Sequence, residues 1–225
     1  MRVIIAGIGV QGKKRKEICG PEFVGYVDPF VAGADYKKIE DVPLDSYDAV
    51  LACIPDEPKI GMLEYLLTHG KHVLVEKPLW AESPDAYAKL TAIANKTGAV
   101  CYTAYNHRFE PHFVRMAQLI RSGKLGKIYS CRMFYGNGTA RLVRNSAWRD
   151  QGAGVLPDLG SHLIDTCNFW FGDLVRSDQW RLVSANRFEN KSPDHVVAIL
   201  QNGGMRIEIE MTMLAMMTRM IPSRI

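Results

Sequence analysis

The chain has 225 residues, 47% of them hydrophobic and 23% charged, with a formal net charge of +4. These proportions are ordinary for a soluble globular protein of one large domain or two small ones, and the small charge gives no case for a nucleic-acid or membrane partner. Five cysteines, at 19, 53, 101, 131 and 167, make no CxxC pair and no regular spacing, which suits reduced thiols in a cytosol better than a disulfide framework or a zinc site. No apolar run approaches the ~20 residues of a membrane helix. The N-terminus begins directly with strand residues and shows no leader pattern, so a cytoplasmic protein is expected.

Arg2 to Ala6 reads as a buried strand, followed at once by Gly7-Ile8-Gly9-Val10-Gln11-Gly12. G-x-G-x-x-G directly after a strand is the context in which the pattern carries weight. The three glycines suit a tight turn, close approach of backbone to a pyrophosphate, and close helix–strand packing. The following helix offers free N–H groups and a positive dipole end to the phosphates. Lys13, Lys14, Arg15 and Lys16 then read as four cations in the first helical turn, either a solvated basic face or, for one or two of them, an aid to phosphate binding.

Phe23 to Val27 is the second predicted strand, with Asp28 at its end. An acid about 20 residues beyond the first glycine is placed to bond the adenosine ribose hydroxyls. A carboxylate there repels a 2′-phosphate: at ~4 Å and an effective dielectric near 20, a charge pair is worth about 4 kcal/mol. No Arg or Lys follows Asp28 immediately, so NAD is favoured over NADP. The competing reading is a turn residue ahead of Pro29.

Tyr36 to Ile39 is a candidate third strand, and Asp48 to Pro55 a clear further one ending in a proline loop. A helix is expected from Lys59 to Thr68, closed by Gly70. His72-Val73-Leu74-Val75-Glu76-Lys77-Pro78 follows, with an apolar run suited to a buried parallel strand. In an open α/β sheet, ligands bind beyond the carboxyl ends of the strands, where Glu76 and Lys77 fall. A helix from Pro84 to Lys96 and a strand from Val100 to Ala104 complete an alternating pattern. That pattern predicts a doubly wound parallel sheet over 1–107.

From Tyr105 the character changes. A helix is expected over His112–Ser122 and β structure over Ile128–Tyr135, then a long Gly-, Asn- and Arg-rich loop over 136–149. A glycine-rich turn leads into an apolar helix through Phe171, and strands follow at Trp180–Asn186, His195–Gln201 and Met205–Met213. The last two are joined by an Asn202-Gly203-Gly204 turn. The second domain, 108–225, is therefore expected to be α+β. Asp158, His162 and Asp165 share one face if their segment is helical. They read as a substrate and proton-transfer site, as a helix cap with a packed histidine, or as part of a metal site. No third and fourth ligand cluster accompanies them, so no metal is expected.

With Gly7/Gly9/Gly12, Glu76-Lys77-Pro78, Asn106-His107-Arg108-Phe109 and Asp158-x-x-x-His162 in this order, the chain resembles the Gfo/Idh/MocA oxidoreductases over about residues 1–213. The resemblance implies an N-terminal Rossmann domain and an α+β domain with an open, mostly antiparallel sheet that commonly forms a homo-oligomer interface. It implies NAD(P)-dependent oxidoreduction of a secondary alcohol or ketone in a sugar, sugar nucleotide or polyol. Lys77, Asp158 and His162 match the family's catalytic and substrate-binding residues. The glycine loop Gly7 to Gly12, with Ile8, Val10 and Gln11 between the glycines, matches its cofactor site together with Asp28 and Glu76. Ile54, Pro55, Asn106 and Arg108 complete that expected set, with Lys77 also at the cofactor. The sequence departs from the family at Ile54-Pro55-Asp56, followed by Glu57, Pro58 and Lys59 where a histidine is common. It also departs at its methionine-rich end, Thr212 to Met220, where a longer chain and further strands are expected.

In the reaction so implied, His162 or Lys77 takes the hydroxyl proton, Lys77 polarises the oxygen and Asp158 binds a neighbouring hydroxyl. Arg108, Arg141, Arg144, Trp148 and Arg149 suit either an anionic or sugar-nucleotide ligand or a solvated loop. Two other outcomes on this fold are NAD-dependent glycoside cleavage and a chain that binds NAD without turnover.

Overall fold

A computed structural model of the chain describes residues 1–146, 150–172, 175, 177–202 and 204–214. Trp148, Arg149, Gly203 and the methionine-rich end from Ala215 lie outside the described residues. The chain forms two compact units, Met1–Ala104 and Tyr105–Ile225. Among the described residues, no helix is long and apolar enough to cross a membrane.

In the first unit the apolar runs become short buried strands: β1 (Val3–Ala6), β2 (Phe23–Val27), β3 (Ala49–Ala52), β4 (His72–Val75) and β5 (Cys101–Thr103). They form one parallel sheet in the order β2-β1-β3-β4-β5. Helices α1 (Val10–Cys19), α2 (Lys59–Thr68) and α3 (Pro84–Thr97) connect them. A buried cluster including Ile4, Val50, Val73, Val75, Leu63, Leu66 and Leu90 fills the layers. Both faces of the sheet are covered, which is why these strands read as continuous apolar runs. Gly98 closes α3 in the left-handed region at φ 74°.

The expected strand at Tyr36–Ile39 does not form. Tyr36 makes a single parallel bridge to Val27, and Ile39–Asp41 is a 3-10 turn. The Asp41 carboxylate accepts from the Lys38 backbone N–H at 3.2 Å, a local bond that competes with a sheet ladder.

In the second unit, α4 (Pro111–Arg121) precedes β6 (Ser130–Gly136), and a short α5 (Ala140–Arg144) interrupts the expected long loop. Helix α6 (Ser161–Phe171) is followed by β7 (Trp180–Asn186), β8 (His195–Asn202) and β9 (Met205–Thr212). The sheet order is β6-β9-β8-β7, with β6 and β9 parallel and the other pairs antiparallel. Burial alternates along β8 and β9, as a sheet with one covered face requires. Val196, Ala198, Leu200, Ile207, Ile209 and Met211 pack with Leu163 and Cys167 of α6 and Val143 of α5.

Candidate functional site

The strands of the first unit end level. Ala6 is paired with Ala52, and Ala52 with Val75, so Gly7, Cys53 and Glu76 emerge along one edge. Backbone bonds continue the ladder one residue further: Gly7 N–H donates to Val27 O at 2.8 Å, Cys53 N–H to Ala6 O at 2.8 Å and Glu76 N–H to Ala52 O at 2.9 Å. This is the carboxyl edge, where open α/β sheets take their ligands.

Each glycine of the turn has its own reason. Gly7 sits at φ 93°, and a Cβ there would lie 2.4 Å from Cys53 O. A Cβ at Gly12 would lie 1.9 Å from Gly7 O, so α1 can approach the turn only without a side chain. A Cβ at Gly9 would meet nothing within 4 Å, leaving its backbone open to a bound group. The α1 ladder begins with Lys13 N–H donating to Gly9 O at 3.1 Å. The amides of Val10, Gln11 and Gly12 precede it and lie outside the intrahelical pattern. An open glycine, three such amides and a helix dipole fit the pyrophosphate of a dinucleotide.

Because α1 starts at Val10, the cations expected in its first turn begin a turn later. Arg15 has a partner instead: its Nε and Nη2 donate to Glu76 Oε1 at 3.1 and 2.6 Å. That bond ties the helix to the strand end that carries Lys77. Cys53 lies in the same neighbourhood; burial first, and then the Glu76 charge, push its thiol up to about 11, so it stays protonated at neutral pH.

Asp28 closes the turn from the β2 side. Its Oδ2 accepts from Ile8 N–H at 2.9 Å, and its Oδ1 from Phe30 and Val31 N–H at 2.9 and 3.1 Å. Burial acts to raise its pKa, but the three backbone donors and the Lys37 charge outweigh it and the pKa is lowered. The carboxylate therefore stays ionised.

Lys59 carries a role that the sequence reading missed. It is 2% exposed, and its Nζ donates to Asp56 Oδ1 at 2.6 Å and to Pro78 O at 2.7 Å. One buried cation thus joins the loop after β3, with Ile54 and Pro55, to the loop after β4, with Lys77. The Lys77–Pro78 peptide is cis. The i,i+3 spacing of Asp56 and Lys59 was the available signal.

The second unit brings its candidates together through side chains. Asp158 lies in a π-helical turn, Leu156–Gly160, which runs directly into α6. The N-cap positions are Val155 for this turn and Gly160 for α6, so Asp158 stands inside the turn and not at a cap position. The π-turn adds a residue to the helical repeat, which changes the simple i,i+4 relation of Asp158 to His162. A Cβ at Gly160 would lie 2.7 Å from Met211 Sδ, so this start of the helix packs tightly on β9. Upstream, Val155 N–H donates to Pro193 O at 2.8 Å. The Asp150 carboxylate accepts from Ser192 N–H at 2.8 Å, and the fully buried Asp194 accepts from Phe188, Glu189 and Asn190 N–H. Two carboxylates thereby fold the β7–β8 loop against the glycine-rich turn.

His162 on α6 stands in a ring cluster. Its centroid is 5.7 Å from Tyr105, 4.9 Å from His107 and 6.2 Å from Tyr135. Burial, then the charges of Asp158 and Glu110, raise the Tyr135 pKa, which keeps the phenol protonated and places both carboxylates near it. Asn106 Nδ2 donates to Glu110 Oε1 at 3.1 Å. Arg108 grips Asp165 with bonds of 2.7 to 3.0 Å, so its charge is matched within this unit. Arg141 and Arg144 are exposed on α5. Among the described residues, no group of three or more His, Cys, Asp or Glu is placed to hold a metal ion.

Comparison with known proteins agrees with both halves. A family model described as an oxidoreductase family with an NAD-binding Rossmann fold matches residues 2–105. A GFO/IDH/MocA C-terminal domain model matches residues 113–223. The chain is 25% identical over 126 residues to an inositol 2-dehydrogenase of Rhizobium meliloti, covering 56% of this chain and 37% of that one. It is 32% identical over 106 residues to the scyllo-inositol 2-dehydrogenase (NADP(+)) IolW of Bacillus subtilis, covering 46% and 29%. In fold it is similar to GenD2 from gentamicin A biosynthesis, solved with NAD, at TM-score 0.77 and 22% identity over 96% of this chain and 66% of that one. An oxidoreductase from Agrobacterium radiobacter, solved with NAD+, L-tartaric acid and magnesium, gives TM-score 0.81 at 15% identity over 97% and 68%. The matches to curated relatives span between 28% and 48% of the length of those proteins.

Proposed function

Because the chain belongs to the Gfo/Idh/MocA oxidoreductase family, we propose that it oxidises a secondary alcohol of a sugar, sugar nucleotide or polyol, or runs the reverse reaction, with NAD. The observation that carries this reading is the level edge of β1, β3 and β4, which delivers the glycine turn, Glu76 and Lys77 to one side of the sheet. The named dehydrogenases among the relatives include two inositol dehydrogenases, a levoglucosan dehydrogenase and a D-glucoside 3-dehydrogenase, which supports a sugar or polyol as the substrate class.

The glycine turn and Asp28 would hold NAD, which when bound would supply the hydride acceptor. The other tasks fall to the chain. Lys77 holds the reacting oxygen and favours the developing alkoxide through its charge. His162 accepts the hydroxyl proton, a task for which a histidine suits neutral pH. Asp158 accepts a hydrogen bond from a neighbouring hydroxyl and orients the ring. Arg15 and Lys59 hold the loop that bears Lys77.

The test is NADH formation with a panel of inositols and pyranosides. Polyol-dependent growth of NADH absorbance is the expected result. Cleavage of a glycoside without net NADH would replace this reading with a glycosidase. Tight NAD binding with neither signal would leave a binding protein.

A further inference from the structure

A proton taken up by His162 has to leave the second unit. His162 is only 8% exposed. Its ring lies 4.9 Å from that of His107, centroid to centroid, tilted by 60°. The His107 side chain is 18% exposed, with Nδ1 at 2.7 Å from Glu110 Oε1. Glu110 is 33% exposed, and its Oε2 lies 3.3 Å from Nε2 of His112, which is 75% exposed. Exposure rises at each of the four side chains, from the buried histidine to the surface one. We propose that His107 and Glu110 form a proton relay that carries the substrate's hydroxyl proton from His162 to solvent, and in the reverse direction during reduction.

Local geometry builds the relay. Asn106–Phe109 is a 3-10 turn, whose three-residue repeat brings side chains at i and i+3 to the same side. His107 and Glu110 have that spacing, and Glu110 N–H donates to His107 O at 3.1 Å. Glu110 is also the residue before Pro111 at the start of α4, where the helix dipole favours a negative charge. Phe113 stacks on His107 at 4.8 Å and 11°, and Tyr135 meets its edge at 6.0 Å, so the imidazole is held in place.

A carboxylate only accepts hydrogen bonds, so the hydrogen of the His107–Glu110 contact sits on His107 Nδ1, and Nε2 keeps its lone pair. The substrate O–H bond breaks as an N–H bond forms on His162. His162 passes that proton to His107 Nε2, directly or through one water. Nδ1 gives its own proton to Glu110 Oε1, which releases it to water or to His112, and His107, left with its proton on Nε2, returns to the Nδ1–H form by exchange with water before the next turnover. No electrons travel with these protons; the hydride goes to NAD under the functional reading above, on which this inference rests. The other titratable or charged groups of the cluster are Asp158, Tyr105, Tyr135 and the matched pair Arg108–Asp165. Tyr135 is a poor alternative carrier because burial and two carboxylates keep its proton on.

The test uses the full chain with His107→Phe, which keeps an aromatic ring on Phe113, and Glu110→Gln. Polyol-dependent NADH formation is followed at low and high buffer concentration, with and without added imidazole. In dilute buffer, His107→Phe should lose turnover on the order of 10²-fold, the lower range for a positioned proton-transfer group. Imidazole should restore most of that loss, with the KM for polyol little changed. Glu110→Gln should be slowed in the same direction. Undiminished turnover in both variants, or a loss that imidazole does not recover, overturns the relay. If the wild-type chain oxidises no polyol, the functional reading fails, and the relay is judged by NMR titration of the histidine rings. The His162 midpoint should then shift in both variants, and an unchanged midpoint in both overturns the coupling.

Discussion

The two compact units hold their candidate residues by different means. In the first, backbone does the placing: strands in register deliver Gly7, Cys53 and Glu76 to one edge, and amides at a glycine turn supply the donors. In the second, side chains place one another: His162 meets His107, Tyr105 and Tyr135 as rings, and Arg108 clamps Asp165. A site made of backbone tolerates changes of side chain except where a Cβ has no room. A site made of side chains has no such tolerance, and each residue removed exposes or frees the next.

The sharpest test of this contrast is the largest expected effect. Lys77→Ala and His162→Ala should each lower turnover by at least ~100-fold, the scale of losing a positioned acid–base group. Affinity for NAD should change little in either, because neither side chain holds the adenosine half. The double variant should lose much less than the product of the single losses if the two serve one transition state. Calorimetry and steady-state rates on all four proteins decide it, and multiplicative losses would mean separate roles.

Gly12→Ala probes the backbone side of the comparison. Its Cβ would stand 1.9 Å from Gly7 O, and backbone cannot rotate away as a side chain can. Overpacking of this kind costs about 2 kcal/mol. The loss should show as a lower unfolding midpoint for the first unit and weakened NAD binding, with the His162 ring signals unchanged in NMR spectra. Gly9→Ala, with nothing within 4 Å, should leave stability intact and weaken the cofactor alone.

What could be read in advance follows the same division. The positions of the glycine turn, Asp28 and Lys77 just beyond strand ends are legible because a strand, its end and a glycine spacing are local properties of the chain. The fold class is legible too, since apolar runs alternating with helices leave few topologies. Tyr36–Ile39 was misread because a polar neighbour, Asp41, bonds the backbone in place of a strand. Lys13 to Lys16 were misread by one helical turn, and only the fold shows Arg15 turned onto Glu76, 61 positions away. His107 is 55 positions from His162, and no spacing rule links them; only the His107–Glu110 half of that cluster had a local signature. Lys59 looked like the first residue of a helix, and its i,i+3 spacing from Asp56 was the local sign of that partner, while Pro78, 19 positions on, had none.

Lys59, like Arg15 and Asp28, is a place where the first unit relies on a side chain, and it should behave like the second. Lys59→Met removes the donor to Pro78 O and leaves Asp56, 49% exposed, to rehydrate. An unsatisfied carbonyl costs about 1–2 kcal/mol, so the unfolding midpoint should fall modestly. Turnover should fall by more than stability does, because the Lys77 loop loses its anchor. Lys59→Arg should recover part of both, and a variant with full turnover would show that the loop holds without this tie.

The smallest expected effect concerns Asp28, where a side chain serves a backbone site. Its pKa is lowered by the N–H groups of Ile8, Phe30 and Val31 against the opposing effect of burial. A carboxylate whose folded pKa is depressed contributes stability above its unfolded value, and that stability is lost as pH falls through the folded value. Wild type and Asp28→Asn should thus differ most at neutral pH, by about 1 kcal/mol for bonds of this kind. The difference should shrink once pH drops below about 4, the ordinary aspartate range. Urea unfolding of both proteins between pH 7 and pH 3 measures it. The same substitution tests cofactor choice, because the ionised carboxylate opposes a 2′-phosphate while Lys37, whose charge reaches Asp28, partly offsets it. Wild type should bind NAD more tightly than NADP, and Asp28→Asn should narrow that gap. A gap that stays constant while the pH-dependent stability vanishes would mean that Asp28 shapes the turn and does not read the ribose.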